Sequence, residues 1–101
     1  MAKHISCPTE QTLDLISGRW KALVIYWLLK GDRRFNQLQR DLNGITHRTL
    51  TKQLRELEGD GLVQRKIYPE VPPRVEYSLT PRGQSLQKIF DAMQEWGTQH
   101  A

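Results

Sequence analysis

The sequence has one cysteine, Cys7, in 101 residues, so no disulfide can close within the chain. No covalent staple holds the fold, and nothing points to an oxidising compartment. Long apolar runs are missing too. The longest, Ala22 to Leu29, is eight residues with charged neighbours, far short of the roughly 20 that span a bilayer. Met1 to Ser6 offers neither an apolar core nor a cleavage site of a secretory leader. A cytoplasmic protein with no membrane partner is expected. No repeat, low-complexity run or Pro/Gly/Ser-rich linker divides the sequence. What is present, 38% hydrophobic and 26% charged residues, suits one domain over residues 1–101 with a small core. A second catalytic domain has no room.

Fifteen Lys and Arg against eleven Asp and Glu give a formal charge of +4. The excess is concentrated: residues 33–80 carry nine basic and six acidic groups, whereas the segments on either side are nearly balanced. Such a distribution favours an anionic macromolecule, nucleic acid above all, over a small anionic metabolite.

Cys7-Pro8 opens a first helix, because proline suits a first turn that has no use for its N–H; Leu13 and Ile16 face inward and Ser17-Gly18 ends it. A second helix carries Trp20, Leu23, Val24, Trp27 and Leu28 at i, i+3, i+4, i+7, i+8, the spacing of a wide apolar stripe, and stops at Gly31. A short third helix holds Phe35, Leu38 and Leu42, with Asn36 as its expected cap. Asn43-Gly44-Ile45 is a tight turn. The fourth helix follows at once, capped by Thr46, with Leu50, Leu54 and Leu57 on one face and Gly59 and Gly61 closing it. Two short helices across a glycine-bearing turn are a helix-turn-helix. Val63–Tyr68 and Arg74–Leu79 then read as a hairpin around the stiff Pro69–Pro73 loop. After Thr80-Pro81, one last helix is expected, with Leu86, Ile89, Phe90, Met93 and Trp96 at helical spacing. The fold class is therefore mainly α with a small antiparallel β-hairpin, an α+β winged helix-turn-helix.

On a wheel of the fourth helix, Arg48, Lys52 and Arg55 lie opposite the leucines, with Thr51 beside them, and no carboxylate occurs from Thr46 to Arg55. Arg and Lys can donate to guanine O6 and N7, and Thr can hydrogen-bond or present its methyl to thymine. Thr46, His47, Arg48, Thr51, Lys52 and Arg55 are thus candidate readers of a major groove. An ordinary solvated amphipathic helix shares this pattern, and the neighbouring elements decide against it. In a helix-turn-helix the second helix enters the groove. A following wing carrying Arg65, Lys66 and Arg74 can reach phosphates or the narrow, electronegative minor groove.

The sequence resembles the HxlR-type family of small winged-helix regulators. The likeness runs over residues 7–97 and rests on Cys7-Pro8, Leu13–Lys21, Arg34–Leu38, Leu50–Leu57, Asp60–Val63 and, most specifically, Tyr68–Thr80. It implies a bacterial transcription regulator, a homodimer on an inverted-repeat operator, usually a repressor and sometimes an activator, with no cofactor. It also implies that the first and last helices form the dimer interface, to which Leu13, Ile16, Leu86, Ile89, Phe90, Met93 and Trp96 would contribute. Two-fold symmetry sets the reading helices about 34 Å apart. By the same likeness Arg34 and Asn36 face phosphates, and Cys7, near the positive end of a helix dipole, is placed to sense oxidants or electrophiles. A buried, inert cysteine is the plainer alternative.

Two other functions compete. An enzyme built on Cys7 with His4, His47 or His100 lacks an orienting carboxylate, and His4-x-x-Cys7 is too sparse for a metal site. A winged helix serving as a protein-interaction or RNA-binding module is compatible with the fold. The fourth helix, however, lacks the stacking aromatics common in single-strand binders.

Overall fold

The structure, a computed structural model, describes residues 7–101. Element order is α1 (Pro8–Ile16), α2 (Arg19–Lys30), α3 (Phe35–Asp41), α4 (His47–Gly59), β1 (Val63–Tyr68), β2 (Arg74–Leu79), α5 (Pro81–Gln84) and α6 (Gln87–His100). Gly18, at φ 86°, makes the left-handed corner between α1 and α2, a conformation that costs a residue with a β-carbon about 1–2 kcal/mol. α2 then buries Val24, Ile25 and Leu28 completely; Ile25 comes from outside the expected stripe, whereas Trp20, Leu23 and Trp27 of that stripe are half-buried and pack against the core. Around it gather Leu38 and Leu42 at the end of α3, Leu50, Leu54 and Leu57 of α4, and Leu62 ahead of the hairpin. This leucine-rich centre fixes the orientation of α4. Its three leucines are anchored, so the opposite side must face outward.

The capping of α3 differs from expectation. Arg34, not Asn36, is the N-cap residue, and Gln37 reaches back so that its Oε1 accepts the Arg34 backbone N–H at 2.8 Å. The cause lies in the preceding residue. Arg33 and Tyr77 exchange both backbone hydrogen bonds, at 3.0 and 2.7 Å, so the chain is already pinned in extended form at Arg33 and turns helical directly after Arg34. Between α3 and α4 the turn bends at Gly44 (φ 95°), and buried Ile45 plugs the core. Thr46 caps α4 as expected, its Oγ1 accepting the Thr49 N–H at 3.1 Å. Gly59 lies inside α4; Gly61, at φ 74°, turns the chain away.

β1 and β2 pair antiparallel, with Val63 opposite Leu79, Arg65 opposite Tyr77 and Tyr68 opposite Arg74. The expected single C-terminal helix is broken in two. Thr80 caps α5 by accepting the Gly83 N–H at 3.1 Å and ties it to the α4–β1 turn by donating to the Gly61 carbonyl at 2.6 Å. Gly83 is buried so tightly that a β-carbon there would collide with the Leu62 carbonyl oxygen. Held this closely, α5 cannot continue straight, and Ser85–Leu86 resets the axis before α6.

The residues expected at a dimer interface fall into two groups, and in the C-terminal helix the division lies within α6, after Phe90. Ile16, Leu86 and Phe90 are each 8% exposed and belong to the protein's own core, while Ile89 packs against it. Leu13, Met93 and Trp96 are 56%, 46% and 62% exposed. From Asp91 onward only Gly97 is even half-buried.

Candidate nucleic-acid interface

Thr46, His47, Arg48, Lys52 and Arg55 are exposed on α4, and Thr51 is half-buried beside them. Among the described residues neither Arg48, Lys52 nor Arg55 has a carboxylate within ion-pair distance, so three cations stand along one open groove with Thr51 and His47. Two local contacts stiffen the N-terminal turn. The His47 ring packs against Phe35 of α3 with centroids 4.6 Å apart, and the Thr51 hydroxyl donates to the His47 carbonyl at 2.9 Å. Thr51 thus offers its methyl and an acceptor lone pair rather than a free hydroxyl proton.

Two acids border this stripe, Glu56 beyond Lys52 and Glu58 beyond Arg55, each about 40–60° around the helix. Both are paired from outside α4. Lys21 Nζ of α2 lies 2.8 Å from Glu56 Oε1, and Arg65 Nε of β1 lies 3.0 Å from Glu58 Oε2. The hydrogen bond from Lys21 holds the Glu56 carboxyl below its usual range against the opposing effect of burial, with the charges of Lys21 and Lys52 adding to it. The cationic stripe therefore keeps its field, since its flanking carboxylates are already neutralised.

The wing departs from expectation at Arg74. Its guanidinium stacks 4.1 Å from the centroid of Tyr68 and bridges Glu70 at 3.1 Å and Glu76 at 3.6 Å, with Nε buried and lacking a hydrogen-bond partner. This arginine braces the hairpin rather than standing free. Arg65 is half-exposed and engaged by Glu58, which leaves Lys66 as the exposed wing cation without an ion pair among the described residues. At the start of α3, Arg34 and Asn36 are exposed and share a surface hollow with Arg40. Sequence reasoning did not single out Arg40, although it lies four residues beyond Asn36, on the same helical face. Cys7 is exposed at the N-cap of α1, its carbonyl accepting the Gln11 N–H at 3.0 Å. His4 lies outside the described residues. Among the described residues no cluster of three or more His, Cys, Asp or Glu is placed to hold a metal, and no helix is long and apolar enough to cross a membrane.

A helix-turn-helix with an outward cationic second helix, followed by a braced two-stranded wing, is the architecture of winged helix-turn-helix transcription regulators. The chain belongs to the HxlR-like helix-turn-helix family, whose model matches residues 15–101. It is 53% identical over 91 residues to the HTH-type transcriptional regulator YybR of Bacillus subtilis, covering 90% of this chain and 73% of that one. Among solved structures it is similar to the oxidised form of the redox regulator HypR, with 50% identity, a TM-score of 0.87 and coverage of 94% and 98%. It is also similar to diamide-treated YodB of B. subtilis, with 36% identity, a TM-score of 0.78 and coverage of 97% and 98%. The protein is a transcriptional regulator of the HTH type, and its family implies DNA binding.

Proposed function

We propose that the protein binds an inverted-repeat operator as a homodimer and represses the adjacent promoter, with release or tuning through Cys7. The observation that carries this reading is the open row of Arg48, Lys52 and Arg55 on a helix whose other face is locked into the core by Leu50, Leu54 and Leu57. Arg48 and Lys52 read base edges, Thr51 contacts a thymine methyl, and Lys66 of the wing and Arg34 and Asn36 of α3 hold phosphates. The homodimer is supported by α6. Helices shorter than about 12–15 residues are marginal in water, and α6 is 14 residues long with most of its surface uncovered. Met93 and Trp96, with Leu13 of α1, supply the apolar face that a second copy covers.

Cys7 stands exposed at the N-cap of α1, in the same segment as exposed Leu13. Similarity to regulators solved in oxidised, reduced and diamide-treated forms favours a thiol response. With one cysteine in these 101 residues, any disulfide joins Cys7 to another molecule, either a second copy or a small thiol, and the two electrons pass to the oxidant. Selection of genomic fragments by the purified protein tests the whole reading. Bound fragments should share an inverted repeat with half-sites about one helical turn apart. Diamide should alter the binding of the wild type and not of Cys7→Ser. Fragments without a common repeat, or equal diamide responses, contradict the respective parts.

A further inference from the structure

Between α4 and the hairpin lies a second, smaller cleft of about 230 Å³, walled by Thr51, Arg55 and Glu58 of α4, Arg65 and Tyr77 of the hairpin and Phe35 of α3. Thr51 and Arg55 also line the groove along α4, so the two hollows are neighbours that share these side chains as a wall. Arg65 and Tyr77 are directly opposed across the strands and point to the same side of the sheet. Tyr77 is half-buried and its backbone is fixed by Arg33, yet its hydroxyl has no hydrogen-bond partner among the described residues. Burial pushes the phenol up from its ordinary range, so the proton stays on oxygen and is available to donate. The cleft thus presents two guanidinium groups and one phenolic donor against a single carboxylate, Glu58, which already holds Arg65 at 3.0 Å.

We propose that this cleft seats one phosphodiester group of bound DNA, received by Arg55, Arg65 and the Tyr77 hydroxyl, with Glu58 acting as the internal anion that holds Arg65 in position until the phosphate replaces it. The proposal rests on the DNA-binding reading and adds to it a site none of whose donors reads a base. Tyr77 is a neutral donor and Arg55 a charged one, so their removal leaves different signatures. Removing a cation that neutralises a phosphate lowers the salt slope by about 0.9, whereas removing a neutral donor leaves the slope alone. Because the seat grips the backbone, it acts on all sequences alike.

The test is fluorescence anisotropy with a labelled mixed-sequence duplex of about 30 base pairs, titrated between about 50 and 200 mM salt. Tyr77→Phe should weaken binding about 3- to 10-fold with an unchanged salt slope. Arg55→Ala should weaken it more and lower the slope by about 0.9. Glu58→Gln, which releases Arg65, should tighten binding about 2- to 5-fold. Thermal melts of each variant accompany the titrations, because Tyr77→Phe keeps the ring and should melt as the wild type does. If Tyr77→Phe binds as the wild type while Arg48→Ala/Lys52→Ala fails, the seat is wrong and the DNA reading stands. A fall with Glu58→Gln overturns the release of Arg65. Failure of the wild type to bind any duplex overturns both.

Discussion

Lys21 of α2 meets Glu56 of α4 at 2.8 Å, and that ion pair ties the central core helix to the edge of the cationic stripe. It spares Lys52, one turn before Glu56, from pairing along its own helix. Replacing Lys21 with Met should leave Glu56 free to draw Lys52 aside and to repel phosphates, weakening DNA binding several-fold. Adding Glu56→Gln should restore it. Titration of a labelled duplex with both proteins checks the pair, and a Lys21→Met protein that binds as the wild type would contradict the role.

The same ion pair has a pH signature. The folded Glu56 carboxyl titrates below its ordinary value because Lys21 donates to the charged form. Its contribution to stability is present above the unfolded pKa and is lost as pH falls through the folded one. The stability gap between wild type and Glu56→Gln should therefore be constant near neutrality and close in acid. Denaturant melts across pH 7 to about 3 measure it, and a gap that widens in acid contradicts the assignment.

Arg74 braces the wing, so its loss should be felt mainly as stability. A half-exposed stack on Tyr68 plus two partly exposed ion pairs are together worth about 1–2 kcal/mol. Arg74→Ala should lower thermal stability by that amount and leave the salt slope of DNA binding unchanged. Lys66→Ala should do the reverse, lowering the slope by about 0.9 with little effect on melting. A slope that falls with Arg74→Ala would return this residue to the phosphate-binding set.

Gly83 packs against the Leu62 carbonyl with no space for a side chain. Gly83→Ala should cost about 1–3 kcal/mol as α5 is forced off the α4–β1 turn. Calorimetry should show a melting point lower by about 4–8 °C per kcal/mol for a domain of this size. Gly59→Ala, which meets nothing within 4 Å in a helical position, should instead stabilise slightly.

Met93 and Trp96 are the exposed large hydrophobic residues of α6. Converting both to Glu should shift the protein from dimer to monomer in light scattering at micromolar concentration and weaken operator binding with it. A dimer that survives the double substitution places the interface elsewhere.

Local patterns made most of this architecture readable in advance. The stripe of α2, the turn at Asn43-Gly44-Ile45, the Thr46 cap and the alternation of the hairpin each depend on residues within a few positions of one another, and each stands where its neighbours in sequence predict. Pairings between distant segments were not readable. Lys21 and Glu56 are 35 positions apart, and nothing in either neighbourhood announces their meeting. Arg65 and Arg74 look like free wing cations until tertiary structure brings Glu58 to one and folds Tyr68, Glu70 and Glu76 around the other. The break between α5 and α6 was hidden because Pro81–Ser85 carries no large apolar side chain whose spacing could mark a change of axis, and the close approach of Gly83 to Leu62 enforces it. Tyr77 read as a strand residue, and its place in the cleft follows from register.

The central claim is that the outward face of α4 reads duplex DNA, and equilibrium titration of a fragment selected by the protein itself addresses it most directly. Replacing both Arg48 and Lys52 with alanine should cost about 1–3 kcal/mol for each base that the helix no longer grips, and more for the selected fragment than for a scrambled duplex. The leucine side of the helix is untouched, so the melting temperature should hold. Unchanged affinity for the selected fragment, in a protein that still melts like the wild type, would contradict the account.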